Sequence, residues 1–282
     1  TEQAQKGEFQ GYWARTAPPD TYQAAALAAL AAKKGLKNIS TVVINNDYGV
    51  GFEKVFVESV VKDGGKILHG DKPVRYDPKA ATLDTEAGQA FAGKPNAVAA
   101  VLYADTGSAL LQAAYKQGLT KGVIVLLTDG VYSEDFVKKV GKDAAGNSII
   151  AGALGTVPGA NGKSLEAFSK IWKEKSGKDV TAFVPHTYDA AILMMLAAEA
   201  AKANTGEGIQ SKIREVAAGP GEEVTDPCKA LALVKAGKPV NYQGASGNVD
   251  IDANGDVVGS YDVWTVKPDG TLAVIDKVSP KT

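Results

Sequence analysis

The sequence has little of the side-chain chemistry on which metal proteins and many enzymes depend. It holds one cysteine, Cys228, and two histidines, His69 and His186, which are far apart in the chain. A single thiol cannot form an internal disulfide, and two distant histidines without a nearby cysteine give little support for a zinc site. We therefore expect no disulfide framework and no metal, and the cysteine count does not decide the compartment.

An excess of charge of one sign is also lacking, as are long hydrophobic runs. The 31 Lys and Arg residues balance 32 Asp and Glu residues, and no basic cluster with interleaved aromatic residues is present. We therefore do not expect nucleic-acid binding. The longest apolar runs, Ala24–Ala32 and Ala190–Ala198, are nine residues each, whereas a membrane-spanning helix needs about 18 or more. The composition is that of a globular protein with a substantial core.

Three segments of the first half each run from a short apolar strand through a turn into a helix. The turns span residues 45–49, 103–107 and 128–130, and they contain Tyr48, Tyr103 and Asp129. In an open α/β sheet, ligands bind at the carboxyl ends of the strands. We therefore expect the two phenols and the carboxylate to lie at one edge, as half of a cleft for a small cationic or zwitterionic ligand.

The alternation of strands and helices in this half predicts a parallel sheet with right-handed crossovers. The predicted strands are Ser40–Asn45, Lys66–His69, Ala97–Leu102 and Gly122–Leu127, and the predicted helices are residues 21–34, 52–63, 108–117 and 133–140.

After Pro158 the pattern becomes helical, and no strong strand separates the predicted helices. We assign this block to a second domain whose sheet is not evident, with strands returning only near the carboxyl end. The predicted helices are residues 165–176, 187–203, 209–218 and 227–236, and the late strands are residues 248–251, 261–266 and 272–276.

The short motifs that suggest catalysis or metal binding are each incomplete. Asp105-Thr106-Gly107 has the letters of an aspartic-protease loop, but no second copy is present. Gly49-Val50-Gly51 lacks the third glycine of a dinucleotide loop. Residues 250–256 match the start of a calcium loop, yet Tyr261 stands where a bidentate Glu is needed, which favours a hairpin turn. We expect a protein that is not an enzyme and that has no cofactor and no metal.

The tyrosines and Asp129 also have a purely structural interpretation. A tyrosine that follows a strand is often a packing residue, and Asp129 could cap the helix that follows it. The coincidence of three such turns at one sheet edge makes the two interpretations about equally plausible from these residues alone.

Several motifs, taken in order, resemble the type I periplasmic substrate-binding proteins of ABC importers, in the leucine/isoleucine/valine-binding-like branch. The likeness covers essentially the whole chain and also fits the hairpin at residues 252–257. The matching segments are residues 12–18 (YWARTAP), 46–49 (NDYG), 127–130 (LTDG), 186–191 (HTYDAA) and 242–247 (YQGASG).

This resemblance implies a two-lobed α/β fold, with parallel sheets flanked by helices, that closes on an amino acid by hinge motion. The implied first lobe comprises residues 1–15 plus 159–259, and the second comprises residues 16–158 plus 260–282. The resemblance also implies that Tyr48 packs on the ligand and that Asp129 takes its α-amino group. Tyr103 and Phe183 fall at positions that line the cleft, and Phe183 comes from the resemblance alone.

Family members open with several βα units before the first crossover, which the resemblance places at Arg15–Thr16. We therefore expect a further N-terminal segment, which leaves the first lobe incomplete in this chain. Removal by cleavage and supply by a second fragment or chain are both open.

The function implied is that of a solute-binding receptor that captures an amino acid, branched-chain or similar, and delivers it to an ABC permease. The expected location is periplasmic or extracytoplasmic, with membrane contact only through the permease or an upstream lipid anchor. The alternatives are a sensory or regulatory ligand-binding domain of the same fold, or a binder of amides or urea. An enzyme of the flavodoxin-like type is a third class, against which the missing phosphate loop argues. The amino acid bound and the oligomeric state are left open.

Overall fold

The computed structural model describes residues 2–280, and the chain divides into two compact units. The first unit combines the residues up to Pro19 with Pro158–Ser260, and the second combines Asp20–Val157 with the residues from Tyr261 onward. The resemblance places the three crossovers at Arg15–Thr16, in the Val157–Pro158 region and at Gly259–Ser260. Residues 1, 281 and 282 of the predicted lobes lie outside the described residues.

Helices and strands alternate through the second unit, whereas helices dominate the first. In chain order the helices are α1 (Glu2–Gln5), α2 (Asp20–Lys33), α3 (Asp47–Lys62), α4 (Asp84–Ala90), α5 (Ala104–Lys116), α6 (Glu134–Val140), α7 (Leu165–Ser176), α8 (Val184–Ala201), α9 (Gly206–Ala218) and α10 (Pro227–Lys235). The strands are β1 (Asn38–Ile44), β2 (Lys66–Ile67), β3 (Val74–Tyr76), β4 (Ala97–Val101), β5 (Ile124–Leu127), β6 (Leu154–Pro158), β7 (Glu222–Val224), β8 (Val240–Tyr242), β9 (Tyr261–Val266) and β10 (Leu272–Val278).

The second unit is built on one sheet, which has eight strands among the described residues. The strand order is β10-β9-β6-β5-β4-β1-β2, and β3 also pairs with β1. The pairings of β1 with β2, β3 and β4, of β4 with β5 and of β5 with β6 are parallel, whereas β9 and β10 are antiparallel. The predicted α/β class with a mainly parallel sheet is confirmed.

The core of the second unit explains why its strands are continuous apolar runs. Every residue of β4 is buried, and in β1 only the first residue is exposed, as expected for parallel strands with both faces covered. Leu27 of α2 and Phe52 and Phe56 of α3 are buried in the same apolar cluster as Ile39 and Leu126. The sheet edge that carries the predicted site is therefore held on a rigid core.

Helix α3 begins at Asp47, whereas the apolar spacing predicted a start at Phe52. The earlier start is stabilised by Asn46, whose side-chain oxygen accepts a hydrogen bond from the backbone N–H of Gly49 at 2.9 Å. Such a cap satisfies one of the amides that the first helical turn leaves without a partner. As a consequence, Tyr48 lies in the first turn of the helix and not in a loop.

The first unit contains a small parallel sheet that the sequence did not reveal. Strands β7 and β8 pair in parallel, and β7 lies between α9 and α10. The sequence predicted no strong strand among the helices after Pro158, and the sheet is formed by two short strands. Both strands have three residues, which is too short for a clear alternating pattern. Helices α8, α9 and α10 pack around them through a cluster that includes Leu193, Val216 and Tyr242.

The strand predicted around residues 248–251 is absent from the structure described for that segment. Val249 has a φ of 51°, which is incompatible with an extended strand. It lies in the loop that follows the predicted motif at residues 242–247. The motif itself is anchored by the buried carboxylate of Asp189 in α8, which accepts hydrogen bonds from the Ala245 and Ser246 amides and from the hydroxyls of Tyr242 and Ser246.

Within residues 2–280, no helix combines the length and the apolar character that crossing a membrane requires.

Candidate functional site

Three neighbouring strands of the second unit, β1, β4 and β5, end at the same edge of the sheet, and each leads into a predicted site residue. Tyr48 is the second residue of α3, Tyr103 is the N-cap of α5, and Asp129 begins the short 3-10 turn Asp129–Val131. The rings of Tyr48 and Tyr103 stack with their centroids 5.7 Å apart and their planes 17° from parallel. The structure thus brings these two rings together.

The carboxylate of Asp129 lies beside the phenol of Tyr48. The Tyr48 hydroxyl donates to Oγ1 of Thr128 at 2.8 Å and lies 3.5 Å from Oδ1 of Asp129. Thr128 is fully buried, so the shorter hydrogen bond fixes the phenol against the end of β5. The longer contact leaves the carboxylate with capacity to accept from a ligand, since an ionised carboxylate has about four lone-pair sites.

A glycine, Gly130, allows the turn that carries Asp129 to lie close to the end of β4 and to Tyr103. A Cβ atom at Gly130 would lie 2.6 Å from the carbonyl oxygen of Leu102 and 3.5 Å from the ring of Tyr103. The first distance is shorter than van der Waals contact, so a side chain at this position would push the turn away from the end of β4. Glycine therefore permits Asp129 and Tyr103 to be neighbours.

The electrostatics of the site favour a positively charged ligand group. Burial raises the pKa of Asp129, a hydrogen bond from the Gln23 side chain lowers it, and the negative charge of Asp20 raises it. Burial is also the main cause of the raised pKa of Tyr48, followed by the charge of Asp129. Tyr48 is therefore a neutral donor, and an ammonium group beside Asp129 would favour its ionised form. Stacked phenols also suit a cation over their faces.

Two contributors to this site were missed at the level of the sequence. Gln23 lies in the Ala-rich helix α2, and its amide donates to the backbone carbonyl of Thr156 in β6 at 2.9 Å, while the same side chain contributes to lowering the pKa of Asp129. Thr128 was noted only as part of a turn. A lone glutamine in a helix carries no local signal, since its partners lie more than 100 residues away in the chain.

Phe183 belongs to the first unit, where it precedes α8 with a φ of 67°. This left-handed conformation is unusual for a bulky residue. The Phe183 ring is partly exposed, and its centroid is 6.0 Å from that of His186. Its role as a ligand contact stays a prediction.

Phe183 and His186 border an apolar groove of about 430 Å³ in the first unit. The groove is lined by segment 12–17 together with α8, α9 and Ile251. His186 is buried, and burial lowers its pKa to about 4, which a hydrogen bond with the backbone of Gly159 partly opposes. The side chain of Thr16 donates to the carbonyl of His186 at 2.7 Å, which ties the segment to the start of α8.

The calcium-like segment forms a turn that is held by its own residues. The carboxylate of Asp252 accepts from the amides of Asn254 and Asp256 at 2.8 and 2.9 Å. Asp256 is paired with Arg15 at 2.7 Å. In the part of the chain that the structure describes, no group of three or more His, Cys, Asp or Glu residues is placed to hold a metal.

Comparison with known families identifies the family to which the chain belongs. Residues 2–269 match the receptor family ligand binding region, and the chain belongs to this family. A curated relative is the chemotactic signal transduction system substrate-binding protein BasB of Halobacterium salinarum. It is 28% identical over 275 residues, which cover 92% of this chain and 59% of the relative. The chain thus spans less than two thirds of that relative's length.

Solved structures of binding proteins share the fold. A leucine binding protein, LivK, from Thermotoga maritima superposes with a TM-score of 0.74 at 24% identity, over 95% of this chain and 68% of that one. A solute binding protein of an ABC transporter from Rhodopseudomonas palustris, in complex with p-hydroxybenzoic acid, gives a TM-score of 0.68 at 19% identity, over 95% and 67% of the two chains. The family resemblance read from the sequence is confirmed, together with the type I periplasmic-binding-protein fold.

Proposed function

We propose that the second unit binds the ammonium group of an amino acid and that the protein is the solute-binding receptor of an ABC importer. The observation that carries this proposal is the largely buried Asp129 beside the stacked rings of Tyr48 and Tyr103. A carboxylate at that point suits an ammonium donor, because charge-assisted hydrogen bonds are the strong ones. Phe183 of the first unit is proposed as a contact for the ligand side chain.

The ligand class is tested directly by native mass spectrometry of the purified chain with a panel of amino acids, p-hydroxybenzoic acid, acetamide and urea. Uptake of one or a few amino acids, branched-chain ones among them, supports the proposal. Uptake of only the aromatic acid or of the neutral amides contradicts it, as does the absence of any amino-acid binding. The denatured mass of the same sample shows whether a second polypeptide is present.

The substitution Asp129→Asn tests the named residue. The amide keeps the size of the side chain but removes the negative charge, so amino-acid affinity should fall by about ten- to hundredfold, the range of a hydrogen bond to a charged group. Asp105→Asn, on the same sheet edge but exposed and paired with Lys139, is the matched control. Unchanged affinity in the Asp129 variant would remove this residue from the site, and thermal unfolding shows that both variants are folded.

A sensory role is the second candidate, and the relative BasB, a chemotactic substrate-binding protein, favours it. Both candidates place the protein outside the cytoplasmic membrane, with an ABC permease or a signalling protein as partner. Deletion of the gene for this protein distinguishes the two candidate functions. Loss of uptake of the bound amino acid supports import, whereas loss of directed movement with uptake unchanged supports sensing.

We also propose that the groove of the first unit is covered by further polypeptide, either an N-terminal segment or a second fragment. The motivating observation is the apolar lining of the groove, in which Met194 of α8 is 47% exposed. Contiguous apolar surface of this kind marks interaction sites. Protection of Met194 from peroxide oxidation in protein purified from its source, compared with the recombinant chain, tests the proposal, and Met195, which is 55% exposed and does not line the groove, is the internal control. Equal oxidation contradicts it.

A further inference from the structure

Thr128 is a buried polar residue that directly precedes Asp129 in the chain. It follows β5 with an extended backbone, and it has no exposed surface. Its hydroxyl oxygen lies 2.8 Å from that of Tyr48, which is in the first turn of α3. A buried hydroxyl without a partner would be costly, so this contact stabilises the packing of the phenol against the end of β5. Because Thr128 is covered, it does not touch a ligand itself.

Two acceptors lie near the single hydrogen of the Tyr48 hydroxyl. Oγ1 of Thr128 is 2.8 Å from the phenol oxygen, and Oδ1 of Asp129 is 3.5 Å from it. Hydrogen bonds between two oxygens are normally about 2.5–3.0 Å long, so only Thr128 lies at a normal distance. An ionised carboxylate is intrinsically the stronger acceptor, because charge-assisted hydrogen bonds are roughly twice as strong as neutral ones. Position, and not acceptor strength, therefore gives the hydrogen to Thr128.

The ring of Tyr48 is held in this position by two other rings. It stacks on the ring of Tyr103, with 5.7 Å between centroids. It also meets the buried ring of Phe52 edge-on, with 6.2 Å between centroids and 75° between planes. Both are favoured arrangements of aromatic pairs, so they oppose a shift of the phenol toward Asp129.

We propose that Thr128 is a positioning residue, which takes the phenolic hydrogen of Tyr48 and so leaves the Asp129 carboxylate to accept from the ammonium group of the ligand. The inference rests on the proposed amino-acid site. Without the Thr128 oxygen, the phenol would turn to Oδ1 of Asp129, and the ligand would compete with a donor of the protein itself.

Amino-acid affinity gives the first test. Thr128→Val keeps the shape of the side chain and removes the acceptor, so affinity should fall by about three- to tenfold, the effect of one competing hydrogen bond. Thr128→Ser restores the oxygen and should recover most of the affinity. The matched control is Thr265→Val, which removes a threonine hydrogen bond to the carbonyl of Ala153 at 2.8 Å in the same sheet. An equal loss in this control, or no loss in the Thr128→Val variant, overturns the inference.

The substitution Tyr48→Phe separates positioning from a structural effect. It keeps the ring and removes the competing donor. Added to Thr128→Val, it should therefore raise the affinity back to that of Tyr48→Phe alone. If Thr128 served only the packing of the sheet, the double variant would bind as weakly as Thr128→Val or more weakly, and that result contradicts the inference.

A carboxyl ¹³C NMR titration of the whole chain without ligand gives a second readout, with Asp129→Asn to assign the signal. In Thr128→Val the phenol should donate to the ionised carboxylate, which lowers the Asp129 midpoint by about half to one pH unit. The other titratable groups that act on Asp129 or on the phenol of Tyr48 are Asp20 of α2 and the phenol of Tyr103, and neither is changed. Adding Tyr48→Phe should abolish the shift. An unmoved midpoint in Thr128→Val would show that the phenol does not turn to Asp129, and would refute the inference.

A neutron crystal structure of the wild-type chain keeps the test decisive if the Val variant does not fold. The phenolic hydrogen, exchanged for deuterium, should lie on the line from Tyr48 to Thr128. A deuteron directed at Asp129 contradicts the inference. Because the titration and the neutron structure need no ligand, a wild-type chain that binds no amino acid refutes the proposed function without affecting these two results.

Discussion

At the scale of single residues, His186 provides a prediction for the first unit. Burial lowers its pKa to about 4, whereas an unfolded histidine titrates near 6.5. Between these values the unfolded chain binds more protons, so folding stability is fully present above about pH 6.5 and falls as the pH drops toward 4. The loss amounts to about 3 kcal/mol.

The two histidines of the sequence make this prediction easy to measure by proton NMR of the imidazole rings. His186→Gln assigns one signal and His69→Gln the other. The His186 signal should not move until the pH nears 4. A midpoint near 6.5 would show that the side chain is not held in its buried neutral form.

Tyr48, Tyr103 and Asp129 could be named from the sequence because each lies just after a strand, and the ends of neighbouring parallel strands meet at one edge. Gln23 could not be named, because its contact with Thr156 depends on how α2 packs against β6. The residues that surround a charged group are set by packing between distant segments, which one sequence does not display.

At the scale of elements, apolar composition decided which strands the sequence revealed. Strands β1, β4, β5 and β9 were predicted within two residues at each end, because each is largely apolar. The elements β3, α4, β7 and β8 were missed, because polar, charged or small residues interrupt their apolar pattern. Strand β6 was missed because Gly155, Thr156 and Pro158 interrupt its apolar residues.

Gly155 in β6 gives an element-scale prediction. A Cβ atom there would lie 2.2 Å from the ring of Trp264, which is fully buried in β9. Gly155→Ala should therefore destabilise the second unit by about 1–3 kcal/mol, the usual cost of overpacking. Urea unfolding followed by the fluorescence of Trp264, with the other tryptophans replaced by Phe, measures this cost.

The matched control is Gly51→Ala, in the interior of α3. A Cβ atom at Gly51 meets nothing within 4 Å, and alanine is favoured over glycine in helices by roughly 0.5–1 kcal/mol. This variant should be neutral or stabilised. Equal loss of stability in both variants would show that the contact with Trp264 is not responsible.

At the scale of the whole molecule, the sequence revealed the α/β class and the family but not the sheet of the first unit. Each unit has its own apolar cluster. Chains with separate cores commonly depart from two-state unfolding. The resemblance supplied the idea of two lobes, because a change from alternating to helical pattern does not by itself show that the chain returns to an earlier unit.

We therefore predict two urea transitions for this chain. Leu193 is fully buried in the cluster of the first unit, and Leu193→Ala should cost about 2–5 kcal/mol there. It should move only one transition, and Gly155→Ala should move only the other. Hydrogen exchange of peptides from α8, and of peptides from β4 and β5, shows which unit unfolds in each transition. A single transition that both variants shift would refute the independence of the cores.

The strand order of the second unit also has a consequence for the order in which the chain can fold. Strands β9 and β10 belong to its sheet, yet they follow every residue of the first unit in the chain. If folding starts from the N-terminal end, the β6 edge of the sheet stays unpaired until more than 100 further residues have emerged. Unpaired edges invite aggregation. The interval between β6 and β9 is thus the period in which a chaperone would be of most use to this chain.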